Sequence, residues 1–163
     1  MRILGRKRTS GVVALLVVAV TAAFAVTAGP ASAAPASAQS WWTRLFPIGV
    51  WSITLSRGDV SETAQWAFTR TGGACVVGQP DTAGSWHPTG LLHFSYELTG
   101  PLRDAGGNVV ATVDLKHSAV QQGSTFSGSG TDYVRDLNGN LLAAVDVQIA
   151  ASRLSVDAVC PSS

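Results

Sequence analysis

The chain has 163 residues, enough for one ordinary domain and not two, and a formal net charge of +1 at pH 7. Four of its eleven basic residues and none of its ten acidic residues lie in the first 33 positions, so the remainder carries a net charge of −3. A mildly acidic domain lacks the basic patch that drives binding to nucleic acids or anionic membranes.

The amino terminus has the three parts of a secretion signal. Residues 1–10 are basic without an acid, residues 12–26 are almost entirely apolar, and Ala31-Ser32-Ala33 is an A-x-A cleavage site. A second such tripeptide, Ala36-Ser37-Ala38, leaves the position of the cut open. The apolar run is shorter than the roughly 20 residues that span a bilayer. We therefore expect a secreted protein with a signal over 1–33, a leader over 34–47 and no stable membrane insertion after cleavage.

From residue 48 onward the chain alternates apolar and polar residues in short segments, the period of a β-strand. The segments are separated by turn signals, of which Asn138-Gly139 is the strongest. We predict eight strands, at 50–56, 62–70, 74–78, 84–87, 91–98, 108–121, 125–135 and 141–154. The fold class is all-β: a single eight-stranded antiparallel up-and-down barrel over 48–155, followed by a tail over 156–163. A two-layer sandwich is the alternative.

Cys75 and Cys160 are the two cysteines of the chain. In an oxidising exported setting an even pair indicates a disulfide. In the chain-entropy model, closing so long a loop stabilises the fold by roughly 4–5 kcal/mol.

The first predicted strand opens with Gly49-Val50-Trp51, and the last one ends with Arg153. This arrangement resembles the calycin group, the lipocalins and avidin-like barrels, in which a G-x-W opens strand one. The resemblance implies that Trp51 covers the barrel floor, that Arg153 packs over its indole as a cation–π contact, and that residues 41–46 plug the floor.

Further motifs resemble those of small exported actinobacterial proteins of lipocalin-like type. They are a central Gly84-Ser85-Trp86, a strand with Phe126-Ser127-Gly128-Ser129-Gly130, and a D-x-x-G-N turn from Asp136 to Asn140. The resemblance covers about residues 48–155, and it implies a fold rather than an activity. Barrels of the allene-oxide-cyclase type are also similar.

Motifs for catalysis are missing from this sequence. There is no G-x-S-x-G nucleophile elbow, and the glycines at 123–130 lack the lysine of a phosphate loop. The three histidines do not have the spacing of metal ligands. We predict no catalytic residues, no metal and no cofactor, and we expect the glycines to allow close approach of strands.

The candidate ligand-binding residues are aromatic and polar side chains on the predicted strands. His117 lies on the apolar face of its strand and is expected in the lumen, together with Trp66, Phe68 and Tyr133. His93 and Glu97 share a face, and they would supply an acid–base pair if that face is also inward. The alternative is a histidine satisfied by one internal hydrogen bond, with Glu97 in solvent.

Three functions fit these observations. The first is a secreted barrel that binds a small apolar or amphiphilic ligand without catalysis. The second is a small-barrel cyclase or isomerase that shapes an apolar substrate in the lumen. The third is a barrel filled by its own side chains that acts as a protein-interaction module. Eight strands enclose a space that side chains can fill or that one small ligand can occupy. The oligomeric state stays open.

Export leads to a direct prediction about the mature chain. We expect the culture supernatant of the secreting host to contain a protein that starts near Ala34 or Gln39. Intact-mass analysis checks this, and a mass that includes residues 1–33 would contradict it.

Overall fold

The computed structural model describes residues 41–160, with side chains from Thr43 onward. The predicted signal and most of the predicted leader lie outside the described residues. The elements are α1 (Trp41–Leu45), β1 (Gly49–Arg57), β2 (Val60–Phe68), β3 (Gly73–Val76), β4 (Gln79–Gly90), β5 (His93–Arg103), β6 (Val109–Gln122), β7 (Thr125–Arg135) and β8 (Leu141–Ser155).

The eight strands form one closed antiparallel barrel in which each strand pairs with its neighbour in the chain and β8 returns to β1. The predicted barrel is therefore confirmed, and the sandwich alternative is wrong. The main correction concerns β4, which was predicted over four residues and has 12. Its alternation is hidden by two prolines and by an irregular register on both sides.

Successive turns alternate between the two ends of such a barrel. We call the end with the β1–β2, β3–β4, β5–β6 and β7–β8 turns the hairpin end, and the end with α1 the floor end.

Aromatic rings fill the barrel interior. Six rings each keep at most 3% of their surface accessible: Trp51, Trp66, Phe68, Phe94, Tyr96 and Phe126. They contact one another at centroid distances of 4.8–6.2 Å, edge-on or tilted except for Phe94 and Tyr96, which are stacked. A ring beside an empty, water-sized space would keep more accessible surface than this. The lumen is therefore packed by the protein's own side chains.

Two consecutive hairpins, β5–β6 and β7–β8, are copies of one unit offset by 32 residues. Their strand pairs match one to one: Phe94 faces Ala119 as Phe126 faces Ala151, and both ladders shift register one residue before the turn. The same side chains also bridge the strands, because Thr99 donates to Asp114 at 2.8 Å and Thr131 donates to Asp146 at 2.9 Å.

The turns of the two hairpins repeat the same hydrogen bonds. Asp104 Oδ1 accepts bonds from the backbone N–H groups of Gly106 and Asn108, and Asp136 Oδ1 accepts them from Asn138 and Asn140. Gly107 precedes Asn108 and Gly139 precedes Asn140, and both glycines have φ near +85°, a conformation that favours glycine. Each aspartate thus fixes its own turn, in agreement with the D-x-x-G-N signal.

The disulfide between Cys75 and Cys160 is present, which confirms the predicted pair. It ties the carboxyl-terminal segment to β3, with a Cα–Cα distance of 5.8 Å. Cys75 pairs in register with Ala67. Ala67 faces outward, because its neighbours Trp66 and Phe68 face the lumen, and yet it has no accessible surface. The segment after β8 therefore covers the outside of the barrel at this point.

The floor of the barrel is closed by α1 and the residues that follow it. Trp51 donates its indole N–H to the carbonyl of Pro47 at 2.6 Å, and the guanidinium of Arg153 lies 4.4 Å from the centre of the Trp51 ring. Gln121, fully buried, donates to the carbonyl oxygens of Thr43 and Arg44. The contact between Trp51 and Arg153 is the one that the resemblance implied.

Replacement of Trp51 should reveal how much the floor contributes to stability. We expect Trp51→Ala to lower the free energy of unfolding by about 3–5 kcal/mol, as for other buried large aromatic residues. Denaturant unfolding measures the change. Leu154→Ala, at an exposed side chain one residue from Arg153, is the matched control and should stay within about 0.5 kcal/mol of the parent. Equal stability of the Trp51 variant and the parent would contradict this role.

Candidate functional site

A chain of charged and polar side chains closes the lumen beneath the hairpin end. His117 Nε2 lies 2.8 Å from Asp132 Oδ1, and Asp132 Oδ2 accepts hydrogen bonds from Arg57 Nη2 at 2.7 Å and Nε at 3.2 Å. Arg57 also donates to Glu62 at 2.6 Å. The side chain of His117 is fully buried and that of Asp132 is 4% exposed, whereas Glu62 reaches solvent. The network therefore connects the packed interior with the surface.

Asp132 and Arg57 keep their charges at neutral pH. Burial alone would raise the pKa of Asp132, but the hydrogen bonds and charges of His117 and Arg57 outweigh it, so the pKa lies below its usual value of 3.8. The two carboxylates raise the pKa of Arg57 in spite of its partial burial. An ionised Asp132 can remain inside the barrel because the donors of both neighbours satisfy it.

Two buried polar atoms beside the network have no hydrogen-bond partner among the described residues. They are the hydroxyl of Tyr96 and Nδ1 of His117. The two rings contact edge to face at 5.2 Å, and Trp66 stacks on His117 with a centroid distance of 6.1 Å. Burial and the charge of Asp132 raise the pKa of Tyr96 well above 10, so its hydroxyl stays protonated. Unpaired buried polar atoms are uncommon and costly, which marks this place as a candidate binding site.

The contact between His117 and Asp132 lies where the two copied hairpins differ in sequence. At an offset of 32 residues, His117 corresponds to Ile149 and Asp132 corresponds to Gly100. Gly130 faces His117 in register, and a Cβ at Gly130 would overlap the His117 ring and the carbonyl of Lys116. The glycine thus makes room for the imidazole, as we expected of the glycines in this strand.

The candidate residues predicted from the sequence divide between the two faces of the barrel wall. Trp66, Phe68 and His117 are buried in the lumen, as expected, and they contact Tyr96. His117 makes one internal hydrogen bond, which agrees with the alternative of a histidine satisfied within the core.

The other three candidates face outward and cannot line the lumen. His93 and Glu97 are exposed because they alternate with the buried Phe94 and Tyr96, and Glu97 lies 3.5 Å from Lys116. An inward acid–base pair of His93 and Glu97 is therefore excluded. Tyr133 is half-buried on the outer face, because the inward position on β7 belongs to Asp132.

Arg57, Asp132 and Tyr96 were not identified from the sequence as site residues. Alternation gives the facing of a strand only where one face is clearly apolar. On β7 the glycines share the inward face with Asp132, and the serines and threonines share the outward face with Tyr133, so neither face is clearly apolar. The 32-residue repeat is the sequence signal that could have pointed to this site, because it aligns Asp132 with a glycine and His117 with an isoleucine.

Concave places on the outer wall are shallow. One depression of about 230 Å³ and another of about 200 Å³ share Val120 and Ser127, and their remaining lining consists largely of serine, threonine, alanine and glycine. The larger lies over β6, β7 and β8, and the other lies over β4 to β7, where the predicted candidate His93 and Phe94 are part of its lining. Neither has an aspartate, glutamate, lysine or arginine in its lining.

Metal binding has no structural support within residues 41–160, where no three histidine, cysteine or carboxylate side chains converge. In the same part of the chain, no helix has the length and apolarity needed to cross a membrane. Comparisons of the chain with models of protein families, with characterised proteins and with solved structures found no significant match. The structure defines the class of the protein as a small closed eight-stranded antiparallel barrel with a packed lumen.

The buried carboxylate predicts a pH dependence of stability. Because the pKa of Asp132 is lower in the folded chain than its usual 3.8, the folded state binds fewer protons there than the unfolded state. The resulting stabilisation is present above pH 3.8 and is lost as the pH falls through the folded value. We expect Asp132→Asn to lower stability at pH 7 by about 1.5–3 kcal/mol and to lose less stability on acidification than the parent.

Urea unfolding at a series of pH values tests this prediction. Asp157→Asn, which removes the same charge from an exposed position, is the control and should follow the parent curve. A variant at Asp132 with the parent's stability and pH profile would show that the ion pair contributes nothing.

Proposed function

We propose that this chain is an exported protein-interaction module: a packed, disulfide-linked barrel that binds a partner protein at its hairpin end. The observation that carries the proposal is that the apolar side chains available for binding lie on the outside of the barrel and not in its lumen. The lumen is filled, whereas large apolar side chains are exposed together at one end of the barrel.

Exposed large apolar side chains gather at the hairpin end. Those in or beside its four turns are Val60, Val77, Leu102, Val109, Val110, Leu137, Leu141 and Leu142, with exposed fractions of 37–66%. The three at other places are Leu91, Leu154 and Val159. Single exposed apolar residues are ordinary, but a cluster of them marks an interaction surface. The copied hairpins contribute most of this cluster, because both place apolar residues directly after the turn.

Export supports the same proposal. The signal-like amino terminus and the disulfide are typical of proteins that function outside the cell. A lipocalin-like relationship remains part of the proposal and rests on the G-x-W tripeptide and the Trp51–Arg153 contact.

Binding of a small amphiphilic ligand in the lumen is the second candidate function. The unpartnered hydroxyl of Tyr96 and Nδ1 of His117 favour it, since polar groups of a ligand would supply the partners that these atoms lack among the described residues. Such a ligand would have to displace aromatic rings that leave no room for it and move Arg57 from the mouth of the barrel. A cyclase or isomerase would need the same opening.

Site-specific cross-linking distinguishes the two candidates. We expect a photoreactive amino acid in place of Val110, at the hairpin end, to capture a protein from the culture supernatant of the secreting host. The same group in place of Gln148, on the exposed outer wall, should capture none. Excess parent protein should abolish the adduct, and a Leu137→Ser/Leu142→Ser competitor should not, because it lacks the apolar side chains.

Native mass spectrometry of the protein from the same supernatant supplies the second arm. If the Leu137→Ser/Leu142→Ser competitor abolishes the adduct as the parent protein does, the proposed interaction surface is contradicted. A bound small molecule that is lost in a folded Tyr96→Phe variant, with no adduct at position 110, would instead establish the lumen as the binding site.

A further inference from the structure

The two ends of the barrel carry opposite charge. At the hairpin end, eight carboxylates stand against three arginines: Asp59, Glu62, Asp81, Asp104, Asp114, Asp132, Asp136 and Asp146 against Arg57, Arg103 and Arg135. At the floor end, Arg44, Arg70 and Arg153 stand against Asp157. The negative charge of the domain is thus concentrated where its apolar side chains are exposed.

The arginines of the hairpin end are already paired. Arg103 binds Asp81 at 2.8 Å, Arg135 binds Asp114 at 3.2 Å, and Arg57 binds Asp132 and Glu62. In the described part of the chain, the carboxylates of Asp59, Asp104 and Asp136, all in turns of this end, bind no arginine. Arg103 and Arg135 donate instead to the carbonyl oxygens of Gly107 and Gly139. Hydrogen bonds from Asn108 and Asn140 lower the pKa of Asp104 and of Asp136, so both carboxylates are charged at neutral pH.

We propose that the hairpin end accepts a cationic amphipathic segment of the partner protein, with its apolar side chains on Leu137, Leu142 and Val110 and its lysines or arginines beside Asp104 and Asp136. This inference rests on the proposed interaction function and gives the chemistry of the partner. An apolar surface alone would accept many partners, whereas turns of one charge select the sign of the partner's charge.

Charge also favours this occupant over two others. An anionic membrane surface would be repelled by the carboxylates that surround the apolar residues. A second copy would have to present its own floor end, which among the residues with described side chains is basic and holds few of the exposed large apolar residues. A separate basic segment can supply both kinds of contact.

A fluorescent amphipathic helical peptide of leucine and lysine is a direct probe, and the same peptide with glutamate for lysine is its control. By fluorescence anisotropy with the mature protein, we expect the lysine peptide to bind at least about tenfold more tightly than the glutamate peptide. Raising salt from about 20 mM to about 500 mM should weaken the binding severalfold, because exposed charges are screened.

Variants locate the site of this binding. Leu137→Ser/Leu142→Ser should weaken it about tenfold, and Asp104→Asn/Asp136→Asn should reduce both the affinity and its salt dependence. The matched controls are Leu154→Ser and Asp157→Asn, at the floor end, and both should bind as the parent does. Circular dichroism and thermal unfolding identify any variant that has lost its fold. Asp104→Asn and Asp136→Asn as single variants then replace a misfolded double variant.

Three results would overturn the inference: equal binding of the two peptides, loss of binding in the floor-end controls, or self-association of the protein that the leucine variant abolishes. If the partner cross-linked at position 110 binds through an acidic or uncharged segment, the inference of a cationic segment is wrong and the proposed interaction function still holds. Failure of cross-linking itself would remove the function.

Discussion

Packing of aromatic rings within the closed barrel is the interaction on which the rest of the structure depends. Eight strands enclose a space that is just wide enough for side chains, and large rings occupy it from the Trp51 floor to the His117 layer. Strands can approach closely around the rings because glycines stand at tight places: a Cβ at Gly84 would overlap the carbonyl of Glu97, and one at Gly128 would overlap Ala119. Once the interior is filled in this way, recognition is left to the ends and the outer wall.

The 32-residue repeat accounts for the regularity of the second half of the barrel and shows where its two hairpins differ. Two hairpins with the same register, the same turns and the same threonine–aspartate bridges stand side by side. Where the copies diverge, an isoleucine position holds His117 and a glycine position holds Asp132, and these two residues bind each other. A buried contact between polar groups costs desolvation and is a poor source of stability compared with apolar packing. Its location at the mouth, beneath Arg57, is consistent with a role in holding the first hairpin over the lumen.

The sequence was sufficient to predict the number and order of the strands, and it was insufficient for the extent of β4 and for the site. Alternation is strong on β6 and β8, so both strands were predicted and His117 was correctly placed on the inward face, and the disulfide followed from the two cysteines. On β7 the inward face holds glycines and the outward face holds serines and threonines, so neither is clearly apolar, and Tyr133 resembled a lumen residue more closely than Asp132 did. An inward aspartate is stable there because it binds His117 on the neighbouring β6 and Arg57 on β1, which is distant in the chain. Such a pairing between distant strands cannot be derived from a local pattern.

The order of the strands also determines how the barrel can assemble. Every pairing but one joins consecutive strands, so hairpins can form locally and add to one another as the chain lengthens. The pairing of β1 with β8 bridges nearly the whole domain, and the contact of Trp51 with Arg153 lies within it. Until β8 is available, β1 presents an unpaired edge that other chains can extend. A chain that ends before β8 would therefore keep an open edge and be prone to aggregate, even with seven strands in place.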